Sequence, residues 1–444
     1  MTEYKTMLQM GNSKAALTAA NPTPAARQLV TETDTGQVKV GNGSTPYNSL
    51  PYVGEASIRD LFTIPAGDSE GRSSLDLGMM SSPPTVSTGT ASLDAALTNS
   101  YMVTTTPTAF RTSGGTPTIF STNFWTFPVV NVVSGSGNLG GTANAVGYAV
   151  EFMADADRVQ IQVLRGTSTL GIMVEVDGQR MTSVPLSWTA TGSTMYILAD
   201  FGVRAIRKFR VEGDQYGGFR GVNVRPTCTV WKPPGPPEIT VAVVGDSVAA
   251  QTGATRPNGG FVSSIGKLLG WNDIRAVALS GSGYVLAGAS GCVFGHSSRV
   301  ADTVACNPQV VIIPGSTNDL GQSGVSAAAL AAWQAYRTAL PNTPIVIGGI
   351  FPGAGGPSAA LLALETLLKT TFDTWADPNS YWVPISTDPA GPWISGTGKV
   401  GSTNASGNSD IYVSSDGVHP SQAGHDFYAR RWAAALRQIV LPNL

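Results

Sequence analysis

Ile239-Thr240-Val241-Ala242-Val243-Val244-Gly245-Asp246-Ser247 decides how the second half of this chain reads. A short run of apolar residues without polar alternation is what a strand buried on both faces requires, and Gly-Asp-Ser then breaks it as a turn. The same texture returns at Ile274 to Leu279, Val310 to Ile313, Ile345 to Ile350 and Tyr381 to Ile385. Helical periodicity lies between these runs, at Val325 to Leu340 and Ser358 to Ala376. A last helix carries Tyr428, Trp432, Ala435 and Ile439 on one face. Strands alternating with helices predict an α/β, doubly wound, parallel five-stranded sheet over residues 238–444.

Ligands bind such sheets at the carboxyl ends of the strands, so the residues that follow each strand carry the functional signal. Here they are Gly245-Asp246-Ser247, Ser280-Gly281-Ser282-Gly283, Gly315-Ser316-Thr317-Asn318-Asp319 and, after a long loop, Asp416-Gly417-Val418-His419-Pro420. A serine nucleophile needs a base, an acid to orient the base, and donors for the oxyanion; these segments supply all of them. Only three histidines exist, His296, His419 and His425. Asp416 stands three residues before His419, within reach of its ring, and Pro420 suits the first position of the final helix. Asp246 and Asp319 are expected to bond loop backbone, and His296 and His425 to be surface or structural. No metal-ligand spacing occurs, and Gly353-Ala354-Gly355-Gly356 lacks the Lys-Ser/Thr of a phosphate loop, so no metal or cofactor is expected.

In their order the four segments resemble the SGNH, or GDSL-type, hydrolase family, whose blocks contribute Ser, Gly, Asn and His. The resemblance implies a flavodoxin-like fold and a carboxylic ester hydrolase. Ser247 would be the nucleophile and, through its N–H, the first oxyanion donor. Gly281 would be the second, with Gly283 as the rival alignment, and the Asn318 side chain the third. His419 would be the base, oriented by Asp416. Two departures stand out: no asparagine precedes the Ser280-Gly281-Ser282-Gly283 block, and Ser316 replaces the glycine two before Asn318. The unpatterned loop from Thr387 to Ser415 either covers the cleft, with Trp393 as a possible substrate contact, or is a solvated loop.

Upstream, Lys232-Pro233-Pro234-Gly235-Pro236-Pro237 reads as a stiff connector, 232–237. Before it, Arg158 to Val163 and Gly171 to Val176 alternate with period two, the second run ending in the hairpin turn Asp177-Gly178. Further strands are expected at Met195 to Asp200, Ile206 to Val211 and Gly218 to Val230. Residues 61–231 thus read as an antiparallel β-sandwich, with the stretch from about 75 to 145 either adding strands or wrapping it. This region resembles the jelly-roll module that precedes the hydrolase domain of some carbohydrate esterases.

Residues 1–60 are read as a small β-rich module of hairpin turns, too small to be stable alone. Ala20-Asn21-Pro22, Val30-Thr31-Glu32-Thr33-Asp34-Thr35-Gly36, Val38-Lys39-Val40-Gly41-Asn42-Gly43 and Tyr47-Asn48-Ser49-Leu50-Pro51 resemble the opening module of bacteriophage tail-fibre and tail-spike proteins, with Asn42 where that pattern usually has Asp. The resemblance implies a homotrimer joined to the virion through other tail proteins.

Bulk composition narrows the rest. With 444 residues, 42% hydrophobic and 13% charged, the chain is long enough for two or three folded domains. A formal net charge of -2 leaves no footprint for nucleic acid or an anionic membrane. The opening Met1-Thr2-Glu3-Tyr4-Lys5 does not read as a secretory signal, and no uncharged run suits a membrane span. Cys228, Cys292 and Cys306 are expected as buried thiols, with a Cys292–Cys306 pair the alternative in an oxidising compartment. The combined expectation is a phage tail-associated serine esterase that removes acyl groups, O-acetyl foremost, from a host envelope glycan or glycolipid. Its rivals are a non-virion carbohydrate esterase or lipase, and a catalytically dead receptor-binding tail protein.

Overall fold

The computed structural model describes residues 9–26, 28–34, 38–41, 43–50, 75, 78–121, 123–133, 139–144, 147–164, 170–188, 194–214, 217–235, 239–289, 291–396, 398–401 and 407–440. Residues 51–74 of the N-terminal readings, 236–238 of the connector and 397 and 402–406 of the long loop lie outside the described residues, as does Asn42. The chain divides into two compact units, Met1–Leu61 and Phe62–Leu444.

In the first unit, Leu29–Glu32 pairs in parallel with Gln9–Asn12 and antiparallel with Val38–Val40. A parallel pair needs a crossover, and the helix Lys14–Ala20 provides it. Hairpin turns alone therefore do not describe this unit. Leu17, Val30 and Tyr47 form its core. Two of the quoted motifs close on each other: Asn48 donates from its backbone to Asn21 Oδ1 at 2.8 Å and from its side chain to the Thr18 carbonyl at 3.1 Å.

In the second unit the β-rich part is organised by two long antiparallel strands, β1 (Gly147–Leu164) and β2 (Thr194–Asp214). The two runs expected at 195–200 and 206–211 are one 21-residue strand, because the partner strand continues past its bulge at 156–158 and keeps pairing. The Asp177-Gly178 hairpin forms as expected, with both residues at positive φ. Among the described residues, pairing links eleven strands into one connected set; the strands are antiparallel as expected, and the division into the two layers of a sandwich is not shown by it. Phe110 meets Phe152 of β1 and Phe219 edge-on, at 6.0 and 5.0 Å.

The remainder is a parallel sheet of β3 (Thr240–Gly245), β4 (Asp273–Ala278), β5 (Val310–Gly315), β6 (Ile345–Ile350) and β7 (Ser380–Val383), in the order β4-β3-β5-β6-β7. Val241 to Val244, Val310 to Ile313 and Ile345 to Ile347 are all fully buried, as the unbroken apolar runs demand. Helices α1 (Phe261–Leu269), α2 (Ser297–Ala305), α3 (Val325–Ala339), α4 (Ala359–Trp375) and α5 (Gln422–Ala435) complete the layer. A buried polar seam joins the two parts of this unit: Glu212 at the end of β2 accepts from Lys267 of α1 at 2.7 Å and from Asn258 at 3.1 Å. Among the described residues no helix is long and apolar enough to cross a membrane.

Candidate active site

Strand order builds the site. Since β3 lies between β4 and β5, the segments that leave their carboxyl ends, at Asp246, Leu279 and Ser316, emerge side by side. The turn after β3 is tight: a Cβ on Gly245 would stand 2.4 Å from that of Ala249. Asp246 caps this turn by accepting from the Val248 amide at 2.8 Å, which fixes Ser247 half-buried at the rim.

His419 comes from a loop closed on itself. Ser414 donates to the His419 carbonyl at 2.8 Å, and Val413 bridges to Pro420. Pro420 is not the first residue of the final helix, because Ser421 caps that helix by accepting from Gly424. The loop abuts the nucleophile turn where Gly253, at φ +95, faces the Pro420 carbonyl; a Cβ there would stand 2.0 Å from that oxygen.

These contacts bring the three side chains into line. His419 Nε2 lies 2.8 Å from Ser247 Oγ, and Nδ1 lies 2.7 Å from Asp416 Oδ2. With the carboxylate ionised, Nδ1 carries the proton and Nε2 is left to accept the serine proton. Partial burial pushes the Asp416 carboxyl upward, but the His419 amide and ring, the Ser414 hydroxyl and the Val418 amide outweigh it and hold the group well below its ordinary value. It is 48% exposed and still ionised.

Beside the serine, among the described residues, the N–H groups of Ser247 and Gly281 have no acceptor. The Gly283 amide is committed to the Leu286 carbonyl at 2.7 Å, and the glycine itself sits flush against the Asp319 carboxylate. Asn318 Nδ2 donates to the Ser282 carbonyl at 3.0 Å, which leaves its second hydrogen unused. Of the two glycines, then, only Gly281 has a free donor.

Carboxylates organise the loops behind these groups. Asp319 collects the amides of Tyr284, Val285 and Leu286 at 2.7–3.2 Å, and Glu365 those of Ile350, Ile385, Ser386 and Thr387 at 2.7–3.0 Å. Asp246 bonds backbone as expected, and also meets the Ser316 hydroxyl at 2.6 Å. Burial raises Asp246 above its ordinary value, against the opposing pull of Ser316 and the Val248 amide. The Ser316 hydroxyl lies 3.0 Å from the Ser282 carbonyl as well and accepts from the Asn318 amide at 3.2 Å. Ser316, where the resembling family usually has glycine, is thus a junction of three loops.

Two further expectations are resolved. Trp393 is only 3% exposed; its indole donates to Asp388 and its ring packs on Tyr428 and Trp432, so it faces the core and offers no substrate surface. His425 is fully buried between Phe261 and Thr252, and His296 caps α2. Sequence reasoning missed Arg299, which is fully buried beneath the site. All three cysteines are buried and free, and among the described residues no group of His, Cys, Asp and Glu is placed to hold a metal ion.

No family model matches the chain, and no curated protein matches its sequence. Solved structures do share its fold. A family two carbohydrate esterase from Clostridium thermocellum, in complex with cellohexaose, superposes with a TM-score of 0.53 at 17% identity, over 76% of this chain and 100% of its own. A family two carbohydrate esterase from Cellvibrio japonicus gives 0.53 at 13% identity, over 81% and 99%. A salicylyl-acyltransferase from a tetracycline biosynthetic pathway gives 0.52 at 13% identity, over 74% and 95%.

Proposed function

We propose that this protein is a serine esterase in which Ser247 attacks an acyl carbonyl, His419 takes its proton, and Asp416 orients the imidazole and stabilises its protonated form. The observation that carries the reading is the unbroken line from Asp416 through His419 to Ser247 Oγ, at 2.7 and 2.8 Å, beside two unengaged backbone N–H groups. The carbonyl oxygen becomes an oxyanion facing the N–H groups of Ser247 and Gly281 and the free Asn318 amide hydrogen. Protonated His419 returns its proton to the leaving alcohol, and the acyl group stays on Ser247. His419 then draws a proton from water, whose oxygen attacks the acyl carbon; as the bond from that carbon to Ser247 Oγ breaks, His419 gives the proton to the serine oxygen and the acid is released.

For substrate we propose a carbohydrate ester, O-acetyl foremost; the fold shared with two carbohydrate esterases supports this. The biological setting we infer is a phage tail, with a host envelope glycan or glycolipid as target and a homotrimer as the assembly. The quoted motifs of the first 51 residues support that setting, together with the small apolar cluster that Leu17, Val30 and Tyr47 form among the described residues, which would gain from association. A fluorophosphonate probe with p-nitrophenyl esters of increasing chain length tests the chemistry: wild type labels and turns over, and Ser247→Ala does neither. Wild type that does not label points to a dead receptor-binding protein. Acyl transfer to an added alcohol in preference to water would move the reading towards the acyltransferase. Finding the chain in purified particles, as a trimer by light scattering, tests the setting; a monomer absent from particles points to a free carbohydrate esterase.

A further inference from the structure

Arg299 projects from α2 into the space between the ends of β3 and β4 and is fully buried. Its Nη2 donates to the carbonyls of Gly245 and Val277, both at 2.6 Å, and its Nη1 to Ser282 Oγ at 2.8 Å. The Phe294 ring covers the guanidinium at 5.0 Å, and Nε has no partner. Among the described residues the hydrogen-bond partners of the guanidinium are all neutral, and burial, the strongest influence on it, pulls its pKa down, with Asp246 and Asp302 among the groups that oppose this from farther away. A wholly buried cation without a paired anion is costly, and an apolar side chain would fill the same volume without that cost. What the guanidinium adds is a rigid fork that several acceptors can share, and a fixed positive charge in a low dielectric.

The acceptors give the fork a meaning. Gly245 stands two residues before Ser247, and Ser282 directly follows Gly281, so one planar group ties together the two backbone segments that carry the unengaged N–H donors. Ser282 is also the residue whose carbonyl holds Asn318. We propose that Arg299 is the positioning residue of the oxyanion site, setting the Ser247 and Gly281 amides at one relative geometry and placing a buried positive charge behind the developing anion. This rests on the esterase reading above. It assigns Arg299 no contact with substrate.

The test uses the full chain as wild type, Arg299→Lys, Arg299→Met and Ser282→Ala. End-point fluorophosphonate labelling counts functional serines, so kcat is expressed per labelled site. KM and the inhibition constant of a phenylboronic acid, which becomes tetrahedral and anionic on a serine, are measured beside it. Removing one direct oxyanion donor costs about 10²–10³-fold in kcat, and an indirect loss is expected at the lower end of that range or below it. We expect a fall of about 10²-fold for Met and about 10-fold for both Lys and Ser282→Ala, with KM within about twofold and boronate affinity falling in step with kcat. Lys keeps the charge and loses the fork, and Ser282→Ala keeps the fork and loses one acceptor, so these two carry the test where Met does not fold. Variants that yield less labelled protein but retain wild-type kcat per site and boronate affinity overturn the proposal, leaving Arg299 a packing residue. Wild type that neither labels nor hydrolyses overturns the esterase reading and this one with it. An active wild type with unchanged variants overturns this one alone.

Discussion

The two sides of the site are built differently. On the open side, Ser247, Gly281, Asn318 and His419 are half-buried and Asp416 is exposed, held by short-range bonds within the Ser414–His419 loop. On the closed side, Asp246, Ser282, Arg299, Ser316 and Asp319 are all buried and bonded across three different loops. Groups that must change charge or partner during a reaction stay near water, where that change is cheap. Groups that only fix geometry lie where a polar bond is strong and its loss costly. Substitutions on the open side should therefore change rate with little change in stability, and those on the closed side should change both.

The sharpest contrast comes from Ser247→Ala. Turnover of a p-nitrophenyl ester is expected to fall roughly 10⁴-fold or more, because the remaining groups supply only the residual catalysis of binding and oxyanion stabilisation. The unfolding midpoint in urea should barely move. A large loss of stability in this variant would break the division between the two sides.

Asn318→Ala tests the border. Its amide is tethered to the closed side through Ser282 and offers its other hydrogen to the open side. A loss of about 10²–10³-fold in kcat with KM little changed is expected if it faces the oxyanion. An effect confined to KM would place it on ground-state binding instead.

His425 carries the comparison into pH. Burial pulls its pKa down to about 4, against the upward pull of the Thr252 carbonyl that accepts from Nε2. The folded state therefore holds it neutral where the unfolded chain, with a pKa near 6.5, takes up a proton. Its contribution is complete above about pH 6.5 and is lost as pH falls towards 4, by about 3 kcal/mol in all. Urea midpoints at pH 7 and pH 5 should diverge in wild type and converge in His425→Gln. Equal slopes in the two proteins would remove this histidine from the closed side's pH response.

How much of this was legible in the chain depended on whether burial followed polarity. The runs 241–244, 310–313 and 345–350 are buried because they are apolar, and strand order then fixed which loops would meet, so Ser247, Asp416 and His419 could be singled out. Arg299 could not. Helix α2 buries Arg299, Asp302 and Thr303 while Val304 is 38% exposed, so a reading by hydrophobic face turns the helix the wrong way round. Trp393 misled for the reverse reason: a large aromatic in an unpatterned loop looks available for a ligand, and only Asp388, Tyr428 and Trp432, remote in sequence or unmarked, show that the core takes it. The single long strand β2 was hidden because residues 202–204 and 206 are exposed where the two strands pass their bulge, and the alternation of buried and exposed positions is lost there.

The smallest expected effect bears most directly on how the two sides are coupled. Ser316→Ala removes a hydroxyl that meets the Asp246 carboxylate, the Ser282 carbonyl and the Asn318 amide. Asp246 keeps the Val248 amide but loses its other partner while still buried, so its carboxyl should rise further and the fold should weaken by about 1–3 kcal/mol. Since Asn318 and Ser282 remain bonded to each other, kcat per labelled site should fall only severalfold, with the larger change in the urea midpoint. Ser316→Gly, which restores the residue usual in the resembling family, removes the same hydroxyl and should weaken the fold at least as much. If instead glycine restores wild-type stability, the closed side of this protein does not depend on the serine junction, and Asp246 is held by its own turn alone.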